Sequence, residues 1–459
     1  ASDAQWVIEG YTLVLGALML LCGALGDRYG RKRVFTIGVA IFAIGSILCG
    51  LAPSMPALIG ARVLQGIGGT MLAPASLALL GASFEGADRG RAIGLWSGLT
   101  AVAGAIGPVA GGTIVDHFGW RWIFFINVPL AAAVVAIALR HMRESRDESA
   151  SGPLDVAGSV SITAGLGGIV YAFVVSGLDG WTLQPLAALV AGIAAFAVFL
   201  AIERRTVNPI LPFGLFARRA FSGINVMTFL LYGALSGLFY FLPFVMILVN
   251  GYSATVTGLA MLPFLVLIVA LSRYSGALVY RAGRRAVLVA GPAITALGFL
   301  AFALLPDLHY WSGVFPSVVL VGLGMGFTVA PLTTTLIDSV PEHNVGLASG
   351  INNAVSRVAA LLAIAILGAL VAAVFGARLE GRMDRAGLSS VQRRDVNAQR
   401  SAMAGARLAD ARERAVVRAA YLDGFRAVAA TCALLAAGSA LAAAATQGGA
   451  ASARRPRSA

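Results

Sequence analysis

The sequence predicts an all-α protein that crosses a membrane many times, and three observations support this fold class. Hydrophobic residues make up 58% of the 459 residues and charged residues only 12%, with a mean hydropathy of +0.84. A soluble enzyme of this size needs far more polar surface, so that class is excluded. Thirteen apolar runs are long enough to span a bilayer as helices. One charged loop also occurs twice, which indicates two related helical bundles.

Each apolar run has about 18 or more residues, the length that a membrane-spanning helix requires. The runs are expected at 6–25, 34–52, 57–81, 91–115, 121–140, 156–176, 183–203, 221–249, 255–280, 286–305, 311–336, 345–376 and 422–446. Cys22, Cys49 and Cys432 fall inside them without metal or disulfide spacing. We therefore expect no metal site.

The repeated loop divides the chain into halves. "GALGDRYGRKR" at 23–33 returns as "GALVYRAGRR" at 276–285. The second copy follows two apolar runs of its own half, beginning near 221, whereas the first copy follows only one. We therefore expect one amino-terminal helix to be absent from this chain, and fourteen helices in the intact protein. The expected divisions are a first bundle at 1–141, a two-helix insert with an amphipathic connector at 142–220, and a second bundle at 221–459 with an outer loop at 377–420.

Arginine distribution predicts the orientation in the membrane. Alternate loops after the first, third, fifth, seventh and ninth runs are rich in arginine, and the short loops between them carry almost none. Because positive charge is retained in the cytoplasm, the arginine-rich loops and the carboxyl terminus are expected inside. The loop 377–420 is arginine-rich yet assigned outside, since long loops translocate largely regardless of charge. We expect it to be partly helical and solvated.

Charge also excludes several functions. Lys32 is the only lysine and lies in "GRKR", so the Gly-Lys-Ser/Thr of a phosphate-binding loop is missing. Active transport would then depend on an ion gradient or a separate partner. The net charge of +13 fits loops that face an anionic leaflet, and no nucleic-acid partner or cofactor is expected.

Two charged residues stand inside apolar runs, where charge is costly and commonly functional. Glu9, in "WVIEGY", is the only acid in the first half's helices that is well away from the cytoplasmic loops. It is a candidate proton or cation site; the alternative is a glutamate near Trp6 that reaches water at the outer interface. Arg62 lies about five residues into a helix that enters from outside; its alternative is to extend to the outer surface.

Several motifs carry a family resemblance. Besides the loop 23–33, the chain contains "RVLQGIGG" at 62–69, "GAIGPVAGG" at 104–112, "GWRWIFFINVP" at 119–129 and "NPILPFGLF" at 208–216. In this order and spacing they resemble the major facilitator superfamily, in its fourteen-helix drug:proton antiporter branch. The resemblance covers about 6–376 and 422–446. It implies two six-helix bundles plus a two-helix insert.

The resemblance also assigns roles. Five loop residues would gate the outward-facing state through an interdomain contact: Gly23, Asp27, Arg28, Gly30 and Arg31. Simple retention of positive charge is the alternative, but it leaves the aspartate and the glycines unexplained. In the second copy Tyr280 takes the place of the aspartate, so a second gate would not work in the same way.

Two further sets follow from the resemblance. Arg62 and Gln65 would couple proton movement by tuning a nearby carboxylate. The fifth-helix motif would favour export, with tight helix packing as the alternative; its residues are Gly104, Gly107, Pro108, Gly111 and Gly112. Four residues are candidates for lining the central cavity: Tyr11, Asn127, Asn353 and Arg357.

The function expected from these features is proton-coupled efflux of amphipathic, cationic drugs across the cytoplasmic membrane by alternating access. The partners would be drug-like molecules, protons and lipid, with the protein acting as a monomer. One alternative keeps the mechanism but exports a single endogenous metabolite or antibiotic. Others are a non-transporting membrane sensor on the same scaffold, and proton-coupled import, which the fifth-helix motif disfavours.

Overall fold

Apolar helices form nearly all of the described structure. The computed structural model describes residues 2–84, 86–146, 155–206, 211, 213–306, 308–341 and 345–447. The helices are α1 Ser2–Tyr29, α2 Arg31–Leu51, α3 Met55–Ser83, α4 Gly86–Phe118, α5 Trp122–Phe125, α6 Asn127–His141, α7 Val156–Asp179, α8 Leu183–Glu203, α9 Phe213–Phe216, α10 Arg219–Phe244, α11 Ala254–Ala260, α12 Leu262–Ala282, α13 Arg284–Leu304, α14 Phe315–Asp338, α15 Val345–Arg385, α16 Ser390–Ala398 and α17 Ala411–Thr446. Short π-helices at Val245–Val249 and Tyr310–Val314 extend α10 and precede α14, and a 3₁₀ helix covers Arg400–Gly405.

Each of the predicted apolar runs coincides with one or two of these helices. In the described part of the chain eleven helices are long and apolar enough to cross a membrane. The count is twelve if α1 is one span, bent by 55° between Gln5–Met19 and Leu21–Tyr29. The remaining run, 91–115, is helical within α4 but is not in that count. The run 121–140 is interrupted between α5 and α6.

The sequence repeat is confirmed as a repeat of helix boundaries. Three helix ends recur at one offset of 253 residues. The last residue of α1, Tyr29, corresponds to the last residue of α12, Ala282, and α2 begins and ends at Arg31 and Leu51 where α13 begins and ends at Arg284 and Leu304. Between these helices Gly30 has φ = 110° and Gly283 has φ = 86°. A positive φ strongly favours glycine, so the same tight turn is built twice from the same residue.

Close helix packing also repeats, with Gly38 and Gly291 at the same offset. A Cβ atom on Gly38 of α2 would meet the backbone oxygen of Gly68 at 3.1 Å, and one on Gly291 of α13 would meet that of Gly324 at 2.9 Å. Both pairs therefore require glycine where two backbones approach. The two halves are built on one packing plan, α2 on α3 and α13 on α14.

The halves meet near the ends of helices that are predicted to face outside. The Gln5 side chain of α1 donates a 2.9 Å hydrogen bond to the Ile364 carbonyl of α15, and the end of α4 contacts the start of α11. In the insert, α7 packs between α1 and α15. Its Leu166 and Val170 are buried in one cluster with Ala17 and Leu361. The domain boundaries stay a prediction.

The segment between α15 and α17 differs from its prediction as a solvated loop. We call residues 386–410 the cap segment. It is partly helical, as expected, but Leu388, Val396, Met403 and Leu408 are buried in the main core of the second half. A capping box between Ser389 and Gln392 starts α16. These apolar residues gain more from burial than from staying in water, so the segment packs against the bundle.

Candidate functional site

Glu9 lies at the contact between the halves and is fully removed from solvent. Its exposure is 0%, and neither carboxyl oxygen has a hydrogen-bond partner among the described residues. Gln5, one turn earlier on the same face of α1, bonds to α15, and the Tyr240 hydroxyl of α10 lies within electrostatic range of Glu9. The alternative of an interfacial glutamate that reaches water is therefore wrong. Trp6 packs on Tyr171 of the insert, with ring centroids 6.1 Å apart.

Arg62 is held inside the first half by a polar network. Its Nε donates to the Val7 carbonyl at 3.0 Å, and its Nη1 donates to Gln65 Oε1 at 2.6 Å. The guanidinium carbon lies 4.2 Å from the centroid of the Tyr11 ring, a cation–π distance. Gln65 in turn donates to Ser46 at 2.6 Å. Arg62 does not extend to the outer surface, so that alternative is wrong.

Arg62 and Glu9 are nevertheless on different sides of α1. Val7 and Tyr11 are four residues apart and face α3, whereas Gln5 and Glu9 face the second half. Within the described residues no hydrogen bond or ion pair joins Arg62 to Glu9. The expectation that Arg62 sits beside a carboxylate is not met here, because its nearest polar partner is the amide of Gln65.

Tyr11 and Arg357 are brought together from opposite halves. Arg357 of α15 is close enough to interact electrostatically with the Tyr11 hydroxyl, and it is exposed, as is Asn353 one turn earlier. Gly69 makes room for the tyrosine, because a Cβ there would lie 2.9 Å from the hydroxyl oxygen. Of the four candidate lining residues, Tyr11 and Arg357 thus approach each other from opposite halves, and Asn353 is exposed. Asn127 bonds instead to the Ile123 carbonyl of its own helical segment, at 3.4 Å.

A neighbouring asparagine has a structural role. Asn352 donates to Thr228 at 2.8 Å and to Asn225 at 3.2 Å, joining α15 to α10. Asn352 therefore bridges two helices, whereas the neighbouring Asn353 is exposed.

The charged loop is anchored within its own half. Asp27 pairs with Arg31 at 2.7 Å, Arg28 lies 5.6 Å from the Tyr29 ring, and Gly23 packs on Pro74. The ion pair joins the end of α1 to the start of α2, and the Gly23 contact joins α1 to α3. An interdomain contact of the loop is not among the described hydrogen bonds.

Glu144 is a partner that sequence reasoning missed. Its carboxylate accepts the backbone amides of Lys32 at 2.9 Å and of Arg33 at 3.2 Å, at the start of α2. A carboxylate at this position complements the helix dipole. In the second copy, Arg284 pairs with Asp338 of α14 at 2.6 Å instead. The side chain of Tyr280 lies outside the described residues.

The fifth-helix motif packs only at one end. Gly112 is buried against the backbone of Ala254, and Gly258 of α11 is equally close to the backbone of Pro108. Gly104, Gly107 and Gly111 have no atom within 4 Å of a Cβ position. The alternative of tight packing therefore applies to Gly112 and not to the other three glycines.

Comparisons with known proteins agree with the fold. The model of the Major Facilitator Superfamily matches residues 1–364. Multidrug resistance protein Stp of Mycobacterium tuberculosis is 36% identical over 85% of this chain and 72% of its own length. The tetracenomycin C resistance and export protein of Streptomyces glaucescens is 32% identical over 86% of this chain and 74% of its own. A bacterial homologue of the lysosomal transporter Spinster has a TM-score of 0.61 at 19% identity, covering 97% and 90% of the two chains.

The helical repeat, the family match and the relatives lead to one conclusion. The chain is a multi-pass membrane protein with a transporter fold, and it belongs to the Major Facilitator Superfamily.

Proposed function

We propose that this protein exports amphipathic, cationic drugs across the cytoplasmic membrane in exchange for protons. The observation that carries the proposal is Glu9, a carboxyl with no exposure and no hydrogen-bond partner at the contact between the halves. An ionised carboxylate in such a place would lose several kcal/mol of solvation without compensation. Glu9 therefore carries a proton in this conformation.

Alternating access supplies the rest of the cycle. The halves are in contact at the predicted outer ends of α1, α4, α11 and α15. When the halves separate there, water reaches Glu9 and solvates its ionised carboxylate. Glu9 can then release its proton and bind an organic cation in exchange. The proton gradient is the energy source, and no cofactor is required.

Tyr11, Arg62 and Arg357 form a polar wall where α1, α3 and α15 meet. Tyr11 presents an aromatic face, and Arg62 fixes that ring through the cation–π contact. Such a wall of one aromatic ring and fixed charges suits an amphipathic molecule. Gln65 holds Arg62 in place, and this network links α1 to α3.

The relatives support the class of substrate. One is named a multidrug resistance protein and another a tetracenomycin C resistance and export protein. The second name favours the alternative of a dedicated antibiotic exporter. A biosynthetic gene cluster around the gene, and export of one compound from a broad panel, would identify that case.

Orientation and assembly complete the proposal. Asp27, Arg31 and Lys32 lie in a loop that we place in the cytoplasm, together with the carboxyl terminus. We infer that one chain is sufficient for transport, because the interface that carries Glu9 is formed within a single chain.

Proteoliposomes with an imposed pH gradient test the proposal. Addition of monovalent or divalent drug cations should release protons from the wild-type protein. Glu9→Gln should abolish that release, while Glu9→Asp retains part of it. The matched control is Glu380→Gln, which changes an exposed glutamate of α15 and should leave transport unchanged. Normal proton-coupled export by Glu9→Gln would overturn the assignment, and proton-driven export by the wild type would exclude the sensor alternative.

A further inference from the structure

A cavity of about 190 Å³ lies beneath the cap segment, where the first half meets the second. Gln5 reaches it from α1, Tyr240 and Phe244 from α10, and Tyr421 from α17, while Met403 belongs to the cap segment. The described lining carries no charged side chain. The cavity is therefore apolar and aromatic, with two tyrosines and one amide as its polar groups.

The cap segment is built as a fixed wall. The side-chain amide of Gln399 donates to the Arg407 carbonyl at 3.1 Å and accepts the Arg407 amide at 2.7 Å. Leu388 and Val396 fix the segment to the core by burial. Ordering a long connection costs conformational entropy, and long ordered loops are commonly functional.

Met403 is in an unusual conformation at this wall. Its φ is 48°, whereas a bulky side chain normally avoids positive φ. The side chain is nevertheless buried and lines the cavity. Strained backbone of this kind concentrates at ligand-binding positions.

Glu9 is near the cavity without lining it. Gln5 lines the cavity and lies one turn of α1 from Glu9, and the cavity-lining Tyr240 is within electrostatic range of the carboxyl. The orphaned oxygens of Glu9 are thus close to an aromatic space that leads toward the cap segment.

We propose that this cavity is an outer binding compartment, which receives an aromatic ring of an exported organic cation while its positive charge stays near Glu9. This proposal rests on the proposed efflux function. The volume exceeds the roughly 150 Å³ that takes benzene and is below the roughly 300 Å³ of a drug-sized site, so it accommodates one ring. Tyrosine, phenylalanine and methionine side chains provide contacts that favour aromatic rings.

Protection of an introduced thiol tests occupancy. The native Cys22, Cys49 and Cys432 are buried, so Met403→Cys supplies the reporter, with tetraphenylphosphonium as the probe. At about ten times its Kd, the probe should slow maleimide labelling of Met403→Cys about tenfold. Val391→Cys, on an exposed part of α16, should be labelled at the same rate with and without the probe. Absence of protection at position 403, or equal slowing at both positions, would overturn the proposal.

Filling the cavity provides an independent test. Ala404→Trp should weaken tetraphenylphosphonium binding about ten- to a hundredfold, because one phenyl ring of roughly 100 Å² is excluded. Val391→Trp is the matched control and should bind normally. Binding is measured in nanodiscs without a pH gradient, so it does not depend on coupling.

Unchanged binding by Ala404→Trp would overturn the outer compartment but leave the efflux proposal intact. If wild-type protein does not bind the probe, the compartment is not a site for aromatic cations. If the compartment is confirmed but every Glu9 variant keeps its proton coupling, only the assignment of Glu9 as the proton site is overturned.

Discussion

The carboxylate of Asp116, at the end of α4, caps the start of α11 across the two halves. It accepts the Thr255 backbone amide at 2.7 Å and the Thr255 hydroxyl at 2.6 Å, and the Ala254 amide follows at 3.2 Å. These hydrogen bonds favour the ionised carboxylate and hold the pKa of Asp116 below its ordinary value of 3.8. The bonds from Thr255 make the largest contribution to this lowering. The contact closes the predicted outer side in this conformation.

We expect Asp116→Ala to loosen this contact without unfolding the protein. Loss of the capping carboxylate frees the amides of Ala254 and Thr255, so their hydrogen exchange should accelerate about tenfold. Exchange mass spectrometry of the 250–260 peptide measures this. Asp384→Asn, at an exposed acid of α15, is the control and should not change that peptide. Unaltered exchange in Asp116→Ala would contradict the role.

The same contact should be insensitive to pH in the physiological range. Because the pKa is lowered when the contact is made, its stabilisation is fully present above the ordinary value of 3.8 and is lost only as pH falls through the lowered pKa. Exchange of the 250–260 peptide, corrected for intrinsic rates, should therefore match at pH 5 and pH 8. A loss of protection between those values would show that another group controls the contact.

Glycine-to-alanine substitutions in α4 should change stability differently at packed and unpacked positions. Gly112→Ala places a methyl group against the Ala254 backbone and should destabilise the protein by about 1–3 kcal/mol. Gly107→Ala meets open space and should be neutral or slightly stabilising, since alanine favours the helix. Thermal unfolding in detergent compares the two variants. Equal effects would contradict the one-ended packing of this motif.

The repeated turn provides a second matched pair. Gly30→Ala and Gly283→Ala both force alanine to a positive φ, at a cost of about 1–2 kcal/mol. Gly30→Ala should cost more, because its methyl group would lie 2.8 Å from the Glu144 carboxylate, whereas nothing lies within 4 Å at Gly283. Unfolding in a Glu144→Ala background should remove the difference. A difference that persists there would exclude Glu144 as its cause.

Arg62 should be required for coupling rather than for folding. Arg62→Ala removes the bonds to Val7 and Gln65 and the cation–π contact with Tyr11, so proton release per exported cation should fall about tenfold, while the unfolding temperature changes little. Tyr11→Phe retains the ring and is the control that should preserve coupling. Full coupling in Arg62→Ala would contradict this role.

Much of the fold was predictable from local sequence. The apolar runs predicted the helices because a bilayer requires length and hydrophobicity from each span separately. The repeated loop predicted the duplicated halves, and Gly30 and Gly283 both adopt a positive φ in it. The outer loop of the second half is partly helical and mostly exposed, as predicted, but the burial of four of its apolar residues was missed. Its apolar residues lie at scattered positions, and only contact with the bundle shows that they belong to one core.

The site was less predictable. The chain alone determined that Glu9 and Arg62 are exceptional, because each places a charge in an apolar run. Tertiary structure decided their surroundings: Glu9 at the interface beside Tyr240, and Arg62 on the opposite side of α1 with Gln65 and Tyr11. The caps formed by Glu144 and Asp116 were also decided by the fold. Each cap joins groups that are more than a hundred residues apart in the chain. The sequence around each acid looks like that of an ordinary surface acid. Composition and periodicity act along the chain, whereas burial and partner choice depend on which helices pack together.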